Sequence, residues 1–427
     1  MAYQSTIIAI SVLAILVLAL PKKYFLLPFI LGAFFIPSDQ RILIFSLDFT
    51  AVRILVLAGL IKTVMAGPSR PLKITTFDKF VYTWAICGAV VYVFLWTSGR
   101  ALVYKCGVLF DIIGMYWLFR KNIHSWVDIS QLIRSFAICA LILSGFIVIE
   151  AVTGNNPFSI LGKVGTVVRE ERLRCQGPFP HSIMLGLFCA TLVPLFLGMT
   201  KIEKDSRLYW TAAFMCGVMV FLSASSTPLV VLMAVIVGVY GFKYRHLIPQ
   251  GGAIAIAGLI ALSIVMDAPV WHLISRINVV GGSTGWHRYN LIRQAINHVN
   301  EWAVLGCRST AHWGYGMQDV TNQFIFEGVR GGILTLLLFV TMIFIGLKSI
   351  LSVSLKAPNV PLQWLSWCIF VSMAGHCLAF MGVTYFGQIT MQWYMMLAVA
   401  GFLTEYQVDL QPSVSKAVTP VYVKPVT

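Results

Sequence analysis

Long runs of apolar residues, separated by short polar or proline-containing segments, recur along nearly the whole chain. A helix needs about 20 such residues to cross the roughly 30 Å hydrocarbon core of a bilayer. The pattern predicts thirteen helices, at residues 4–20, 24–37, 46–65, 79–97, 101–119, 132–152, 181–200, 208–223, 227–242, 248–267, 323–347, 361–382 and 388–405. The second is short and runs through Pro28, so twelve spans with a broken first hairpin is the alternative. The predicted fold is an all-α polytopic membrane helical bundle of 12 or 13 spans.

Composition supports this interpretation. Hydrophobic residues make up 58% of the 427 residues and charged residues only 11%, whereas a soluble domain has about 45–50% and about 25%. So few charges exclude a water-soluble globule, and the apolar content excludes a disordered chain. The nine cysteines and eight histidines form neither a CxxC nor an HExxH pattern, so we expect no metal site and no cofactor.

The positive charges predict the orientation of the bundle. With the amino terminus outside, nearly all Lys and Arg residues of the short connections fall on the cytoplasmic side, which is the usual bias. The carboxyl tail then lies in the cytoplasm as well. We expect no cleavable signal peptide, because no basic segment precedes the first apolar run.

Two long connections on the predicted external side carry many cations. They divide the chain into N-terminal transmembrane helices at 1–152, a first Arg-rich external loop at 153–180, central transmembrane helices at 181–267, a large external loop at 268–322, C-terminal transmembrane helices at 323–405 and a cytoplasmic tail at 406–427. The cations in the two loops are Lys163, Arg169, Arg172, Arg174, Arg276, Arg288, Arg293 and Arg308. Eight outward-facing cations indicate an anionic ligand; solvated loop charges are the alternative.

The large loop contains a helical pattern from Trp286 to Trp302. Its apolar positions recur at three- and four-residue spacing and are Tyr289, Ile292, Ile296 and Val299. This spacing predicts an amphipathic helix that lies over the membrane domain, with Ser283 or Thr284 as its cap. Arg288 and Arg293 diverge by about 140° around the helix axis, so one can face the core while the other faces water.

Several ionisable residues lie within predicted spans, where charges usually face a cavity or a partner. Those in the external half are Arg53, Lys105, Glu150, Glu327 and Arg330. Their shared depth predicts a hydrophilic cavity that opens outward. The alternative is structural ion pairing, Lys105 with Asp111 and Glu327 with Arg330.

Three segments resemble the O-antigen ligase and polymerase superfamily of bacterial surface-polysaccharide enzymes. Residues 174–181, RCQGPFPH, are similar to the family's Arg-x-x-Gly-x-Phe-x-His-Pro motif, with Ser182 in place of the last proline. Residues 285–289, GWHRY, stand where the family's external helix begins. Thr321-Asn322 and, after nine intervening residues, Gly332-Ile333-Leu334-Thr335 resemble the family's His-Asn and Gly-x-x-(Gly/Thr/Tyr) element, with Thr321 replacing the histidine.

The resemblance implies an enzyme that transfers or polymerises a glycan from an undecaprenyl-diphosphate-linked donor, with inversion and without a metal, on the periplasmic face of a bacterial inner membrane. Its partners would be that donor, a glycan or lipid acceptor and membrane lipid, and no nucleic acid. Arg174, Arg288 and Arg330 would hold the diphosphate, helped by Arg172 or Arg308, because guanidinium groups bind phosphate oxygens in pairs. Further substrate-binding candidates are His287, Asn322 and Arg53. Whether the chain is a ligase or a polymerase stays open.

Catalysis would also use a base, and Thr321 cannot accept a proton at neutral pH. Asp319 is the first substitute, followed by Glu327, His287 and His312. Arg288 is the third expected catalytic residue, with Asp319 and Glu327. For Asp319, a cap of the following helix is the alternative role.

Other functions remain open at this stage. A lipid-linked oligosaccharide flippase or an anion transporter is the main alternative, although the two halves show no repeat. The cysteines in the external loops, Cys175 and Cys307, are either disulfide-bonded or free thiols. We expect His376, deep in an apolar span, to make a hydrogen-bonded helix contact. The oligomeric state stays open.

Overall fold

The structure is a computed structural model that describes residues 3–44, 47–67, 71–162, 167–169, 171–266, 272 and 285–410. Within these residues it contains fifteen α-helices, and every predicted helical segment contains one. They are α1 Gln4–Ala19, α2 Leu27–Phe35, α3 Ala51–Met65, α4 Thr76–Trp96, α5 Gly99–Asn122, α6 Trp126–Thr153, α7 Ser182–Met199, α8 Arg207–Leu222, α9 Ser226–Tyr240, α10 Ile248–Val265, α11 Gly285–Asn297, α12 Val299–Trp302, α13 Gln323–Lys356, α14 Val360–Phe380 and α15 Gln388–Leu410.

Seven segments of the described chain are long and apolar enough to cross a membrane. They are α4, α5, α6, α7, the stretch Ser226–Gly252 that begins with α9, α13 and α14. This architecture agrees with a multi-pass, all-α helical protein, while the count of 12 or 13 spans stays a prediction. Helix α2 has nine residues and rises only about 14 Å, too little to cross the bilayer. Pro28 lies in its first turn, where proline is tolerated.

Two short antiparallel hairpins interrupt the helical chain. Strand β1, Arg41–Ile44, pairs with β2, Leu47–Thr50, and β3, Val167–Arg169, pairs with β4, Arg172–Arg174. The first hairpin corrects the predicted start of the third helix at residue 46.

Helix α3 therefore begins at Ala51, where the Thr50 hydroxyl accepts a hydrogen bond from the Arg53 N–H. Arg53 lies in the first turn of α3 and not two turns into it, because residues 47–50 pair as a strand.

The bundle has one continuous apolar core, with α7 at its centre. Helix α7 packs against α8, α9 and α14, and nearly all of its side chains are buried. A second, smaller core joins α11, α12 and the following loop to the first turns of α13. Its buried members are Leu291, Ala295, Trp302, Cys307, Trp313, Met317, Val320 and Val329. We call residues 285–322 the α11–α12 module.

The amphipathic helix forms as α11, but it buries a different face from the predicted one. Leu291 and Ala295 are buried, while Ile296 is 50% exposed. Helix α11 packs on α13 through the side that contains Leu291 and Ala295. The predicted stripe lies at the edge of this side: Tyr289 and Ile292 are half-buried, and Val299 packs against the second core. Arg293 is exposed, so the predicted divergence of the two arginines is confirmed.

Helix α13 is broken at Gly332, whose φ of 72° and ψ of 174° are not helical. The α11–α12 module bonds to the backbone freed by the break: the Cys307 N–H donates to the Val329 carbonyl at 2.7 Å, and the Ile333 N–H donates to the Ala303 carbonyl at 2.8 Å. A Cβ atom at position 332 would lie 2.4 Å from the Val304 carbonyl oxygen. Only glycine fits this left-handed, closely packed position.

Candidate anion-binding site at the loop end of the bundle

The two Arg-rich segments lie at the same end of the bundle, beside the turns at residues 223–225 and 381–387. The Cys175 N–H donates to the Leu222 carbonyl at 3.1 Å. The Asn322 side-chain amide donates to the Met381 carbonyl at 3.1 Å. We call this region the loop end. Residues far apart in sequence therefore meet there.

Strand β4 delivers Arg174 into the protein interior. The side chain is only 8% exposed, and its Nη2 donates to the Ser225 hydroxyl at 2.5 Å. The chain after β4 is held by Glu150 at the end of α6, whose carboxylate accepts the N–H groups of Gln176 and Gly177 at 3.1 and 2.8 Å. Glu150 therefore positions this loop.

Helix α11 delivers Arg288 to the same place from the other side. Its Nη2 donates to the Thr227 hydroxyl at 2.7 Å, and its Nε is buried without a hydrogen-bond partner among the described residues. Desolvation lowers the pKa of Arg288 from its ordinary value. Gly382 lies beside the guanidinium: a Cβ there would be 3.5 Å from Arg288 Cζ, an ordinary contact distance. Arg288 makes no ion pair within the described chain.

Arg174 and Arg288 thus converge on the first turn of α9. Ser225 occupies the N-cap position, but its side chain makes no capping bond. Its hydroxyl instead accepts the hydrogen bond from Arg174. The N–H groups of a first helical turn carry partial positive charge. Two guanidinium groups beside them create a strongly positive region suited to an anion with several oxygens.

A second group of ionisable residues lines a cavity of about 150 Å³ between α4, α5, α13 and α15. Its members are Lys105, Glu327 and Arg330. The Glu327 carboxylate accepts hydrogen bonds from Trp84 Nε1 at 3.0 Å and from Gln323 Nε2 at 2.8 Å.

Both predicted ion pairs within the spans are wrong. Asp111 pairs with Arg53 at 3.1 Å, because α3 and α5 pack against each other. Arg330 donates from Nη1 to the Arg308 carbonyl at 2.8 Å, and the Arg308 Nε donates to the Leu95 carbonyl at 3.0 Å.

The turn at residues 381–387 lies between the two groups. Gly382 lies beside Arg288. Tyr385 lines the cavity, and its N–H donates to the Gln323 side-chain oxygen at 2.8 Å. The predicted site is therefore two neighbouring groups, with Arg174 and Arg288 on one side and Arg330 and Glu327 on the other.

The remaining predicted site residues have varied positions. Arg172 is exposed and borders a second, mostly apolar cavity of about 480 Å³. His287 lies near Gly316. His312 binds Glu301 at 2.7 Å on the surface of the α11–α12 module.

Asp319 is exposed and does not cap α13, so the capping alternative is wrong. Asn322 is the cap, because its side-chain oxygen accepts the Ile325 N–H at 3.1 Å. The hydroxyl of Thr321 is buried without a hydrogen-bond partner.

The sequence analysis did not identify the two hydroxyl groups that accept hydrogen bonds from Arg174 and Arg288. Ser225 and Thr227 belong to the run Ser223-Ala224-Ser225-Ser226-Thr227, which looked like a bare short loop because it has no charge. Such a cluster directly before an apolar run is a helix-start signal, and it was the available clue.

Two smaller predictions can be compared directly with the structure. Cys175 and Cys307 are free thiols, each buried in a different core. His376 Nδ1 lies 2.8 Å from the Tyr385 hydroxyl, which confirms the expected hydrogen-bonded contact.

In the described part of the chain, no three His, Cys, Asp or Glu side chains are grouped so as to hold a metal ion. Neither the known protein-family models nor the curated proteins include a match to this chain.

Proposed function

We propose that this chain is an integral membrane glycosyltransferase that uses a glycan donor linked to a lipid diphosphate. The observation that carries the proposal is the convergence of Arg174 and Arg288 on the first turn of α9. A diphosphate offers several charged oxygens to two planar guanidinium groups and to the helix N–H groups. Its growing charge as a leaving group would be stabilised there.

Three half-buried cations at the loop end have no carboxylate within 4 Å in the described chain. They are Lys105, Arg288 and Arg330. Buried or half-buried cations usually have an anionic partner, so these three side chains support an anionic substrate.

The second cavity supports a lipid carrier for that anion. It is lined chiefly by apolar side chains, among them Leu173, Val220 and Leu229, and it also includes Ser225, which binds Arg174. An isoprenoid tail already lies in the hydrocarbon of the bilayer, so close packing against these side chains would hold it in the cavity. The tail would lie here, with its diphosphate beside α9.

In the proposed reaction an acceptor hydroxyl attacks the anomeric carbon of the donor. The new carbon–oxygen bond forms as the bond to the diphosphate breaks, which inverts the centre, and a base takes the hydroxyl proton. Glu327 is the favoured base because it lines the cavity. Asp319, first among the predicted bases, is exposed at the module surface.

The motif resemblance to O-antigen ligases and polymerases supports the same function, with the loop end on the periplasmic face of a bacterial inner membrane. It also supports an undecaprenyl carrier. A ligase would add one glycan to its acceptor, whereas a polymerase would make a ladder of products.

The test compares Arg288→Ala with wild type in membranes that supply lipid-linked oligosaccharide, at matched expression. Arg293→Ala is the control, because Arg293 lies on the same helix and is exposed. We expect wild type and the control to convert the donor, and Arg288→Ala to be slower by about 100-fold.

Two results would contradict the proposal. Equal activity of the Arg288 and Arg293 variants would show that Arg288 does not stabilise the diphosphate. A donor left covalently unchanged by wild type would rule out transfer, and movement of intact donor across the bilayer would then indicate the flippase.

A further inference from the structure

Aromatic side chains form much of the wall of the cavity that contains Lys105. They include Trp84, Phe339, Phe380, Trp393 and Tyr394. Flat aromatic faces pack well against ring-shaped ligands, and a few polar groups then fix the orientation. The polar groups of this wall include the side chains of Gln323 and Thr390. The lining thus suits a ring that has both apolar faces and hydroxyl groups, as a sugar has.

The cations in this cavity lack acidic partners. Lys105 Nζ lies 4.3 Å from the centre of the Tyr92 ring, and it makes neither a hydrogen bond nor an ion pair with the described chain. Arg330 uses Nη1 to bind the Arg308 carbonyl, and its other N–H groups donate to none of the described residues. Both cations therefore keep donors available for a ligand.

The carboxylate in the cavity is held by neutral donors. Glu327 accepts one hydrogen bond from the Trp84 indole and one from the Gln323 amide. Its charge lies more than 4 Å from the Lys105 and Arg330 nitrogens, since it forms no ion pair with either. Two cations and one carboxylate leave the lining with one excess positive charge.

We propose that this cavity binds an acidic sugar of the acceptor glycan, with the sugar carboxylate between Lys105 and Arg330 and the ring against the aromatic wall. This inference rests on the proposed transferase function, because it assigns the acceptor side of the same loop end. The turn at residues 381–387 separates the cavity from Arg174 and Arg288, where the donor diphosphate would bind. Glu327 then lies beside the bound sugar, where it can take a proton from the attacking hydroxyl.

The test measures binding of carrier-free oligosaccharides to the purified full chain in lipid nanodiscs. The probes are a panel of uronic-acid oligosaccharides, each paired with its carboxyl-reduced, neutral counterpart. We expect wild type to bind acidic members at least about tenfold more tightly than their reduced partners, because a hydrogen bond to a charged group contributes about 1.5–3 kcal/mol.

The variants are Lys105→Met, which removes the charge, and Lys105→Arg, which keeps it. Lys121→Met is the matched control: Lys121 is in the same helix, and its Nζ lies 4.7 Å from the Trp117 ring centre, away from the cavity. We expect Lys105→Met to bind the acidic probes about tenfold more weakly. Lys105→Arg and Lys121→Met are expected to match wild type.

The inference fails if no acidic probe binds more tightly than its reduced partner, or if Lys105→Met binds like Lys121→Met. Neither result bears on the donor site, because the probes carry no lipid diphosphate. Charge-dependent binding without donor turnover would leave the acidic-sugar site standing, but it would overturn the transferase proposal and with it the acceptor role of this site. Donor turnover without such binding would do the reverse.

Discussion

Residues of the same type differ in their contacts and exposure according to their position in this protein. Arg288 and Arg293 are five residues apart on α11, yet one is bonded to Thr227 with a buried Nε and the other is exposed. Helical periodicity predicts the divergence. Which of the two faces the bundle depends on the packing of Leu291 and Ala295 against α13.

Glu301 carries a prediction at the residue scale. Its carboxylate accepts hydrogen bonds from Trp313 Nε1 at 3.1 Å and from His312 Nε2 at 2.7 Å, and these lower the pKa of Glu301 below its ordinary 4.5. A lowered folded-state pKa stabilises the folded form above the unfolded-state pKa. This stabilisation is lost as the pH falls through the folded-state value.

We therefore expect amide exchange in residues 299–317, corrected for intrinsic rates, to rise as the pH falls below about 4.5. In Glu301→Gln the same segment should exchange with little dependence on pH, because the titrating group is gone. Identical pH profiles for the two proteins would refute this role of Glu301.

At the scale of elements, the break in α13 determines how the α11–α12 module docks. Gly332 leaves the helical region, and the backbone of residues 303–307 binds the groups on either side of it. Arg330 comes just before the break, and its guanidinium binds the Arg308 carbonyl in the module. The break therefore joins the two elements that carry these cations.

Gly332→Ala should destabilise the protein by at least about 1–3 kcal/mol, because alanine is strained at this positive φ, and its Cβ would also clash with the Val304 carbonyl. Gly217→Ala is the control, since a Cβ there has no neighbour within 4 Å. Alanine in the interior of α8 should be neutral or stabilising by up to about 1 kcal/mol.

Thermal unfolding in detergent measures the difference between these glycine variants. Maleimide labelling of Cys307, which is buried in the second core between the module and α13, reports the docking of the module. Equal melting temperatures and equal labelling of the two variants would show that the break does not hold the module.

At the scale of the whole molecule, the two ends of the bundle carry different groups of charged residues. The end opposite the loop end closes around Arg120, which is fully buried and bonds Asp78 at 3.2 Å and Glu405 at 2.6 Å. These contacts join α4, α5 and α15. The loop end contains two cavities and the half-buried cations Lys105, Arg288 and Arg330. The buried ion-pair network and the residues proposed to bind substrate therefore lie at opposite ends of the bundle.

Arg120→Met should lower the free energy of unfolding by about 3–5 kcal/mol, because it leaves the Asp78 carboxylate buried without its cation. Lys73→Met removes an exposed partner of Asp409 and should cost no more than about 1 kcal/mol. Unfolding curves in the same detergent compare the two. Similar losses would mean that the buried network does not stabilise this end.

The sequence predicted most of the charged residues of the candidate site, but it did not predict how they are arranged. The loop cations Arg174, Arg288 and Arg308 and the intramembrane Arg330 stood out by charge. Their division into two groups did not, because it depends on the turn at residues 381–387. The wrong prediction that Lys105 pairs with Asp111 has a similar origin. Asp111 pairs instead with Arg53, which belongs to another helix.

The sequence by itself determined the helical class and the approximate positions of the helices, and it indicated the cations that we propose to bind an anion. Apolar run length and charge are local properties, so they can be read along the chain. Tertiary structure decided which cations are paired, which face of α11 is buried and where α13 breaks. Those outcomes depend on contacts between segments that lie tens to hundreds of residues apart, and a local pattern does not specify which of several possible partners makes the contact.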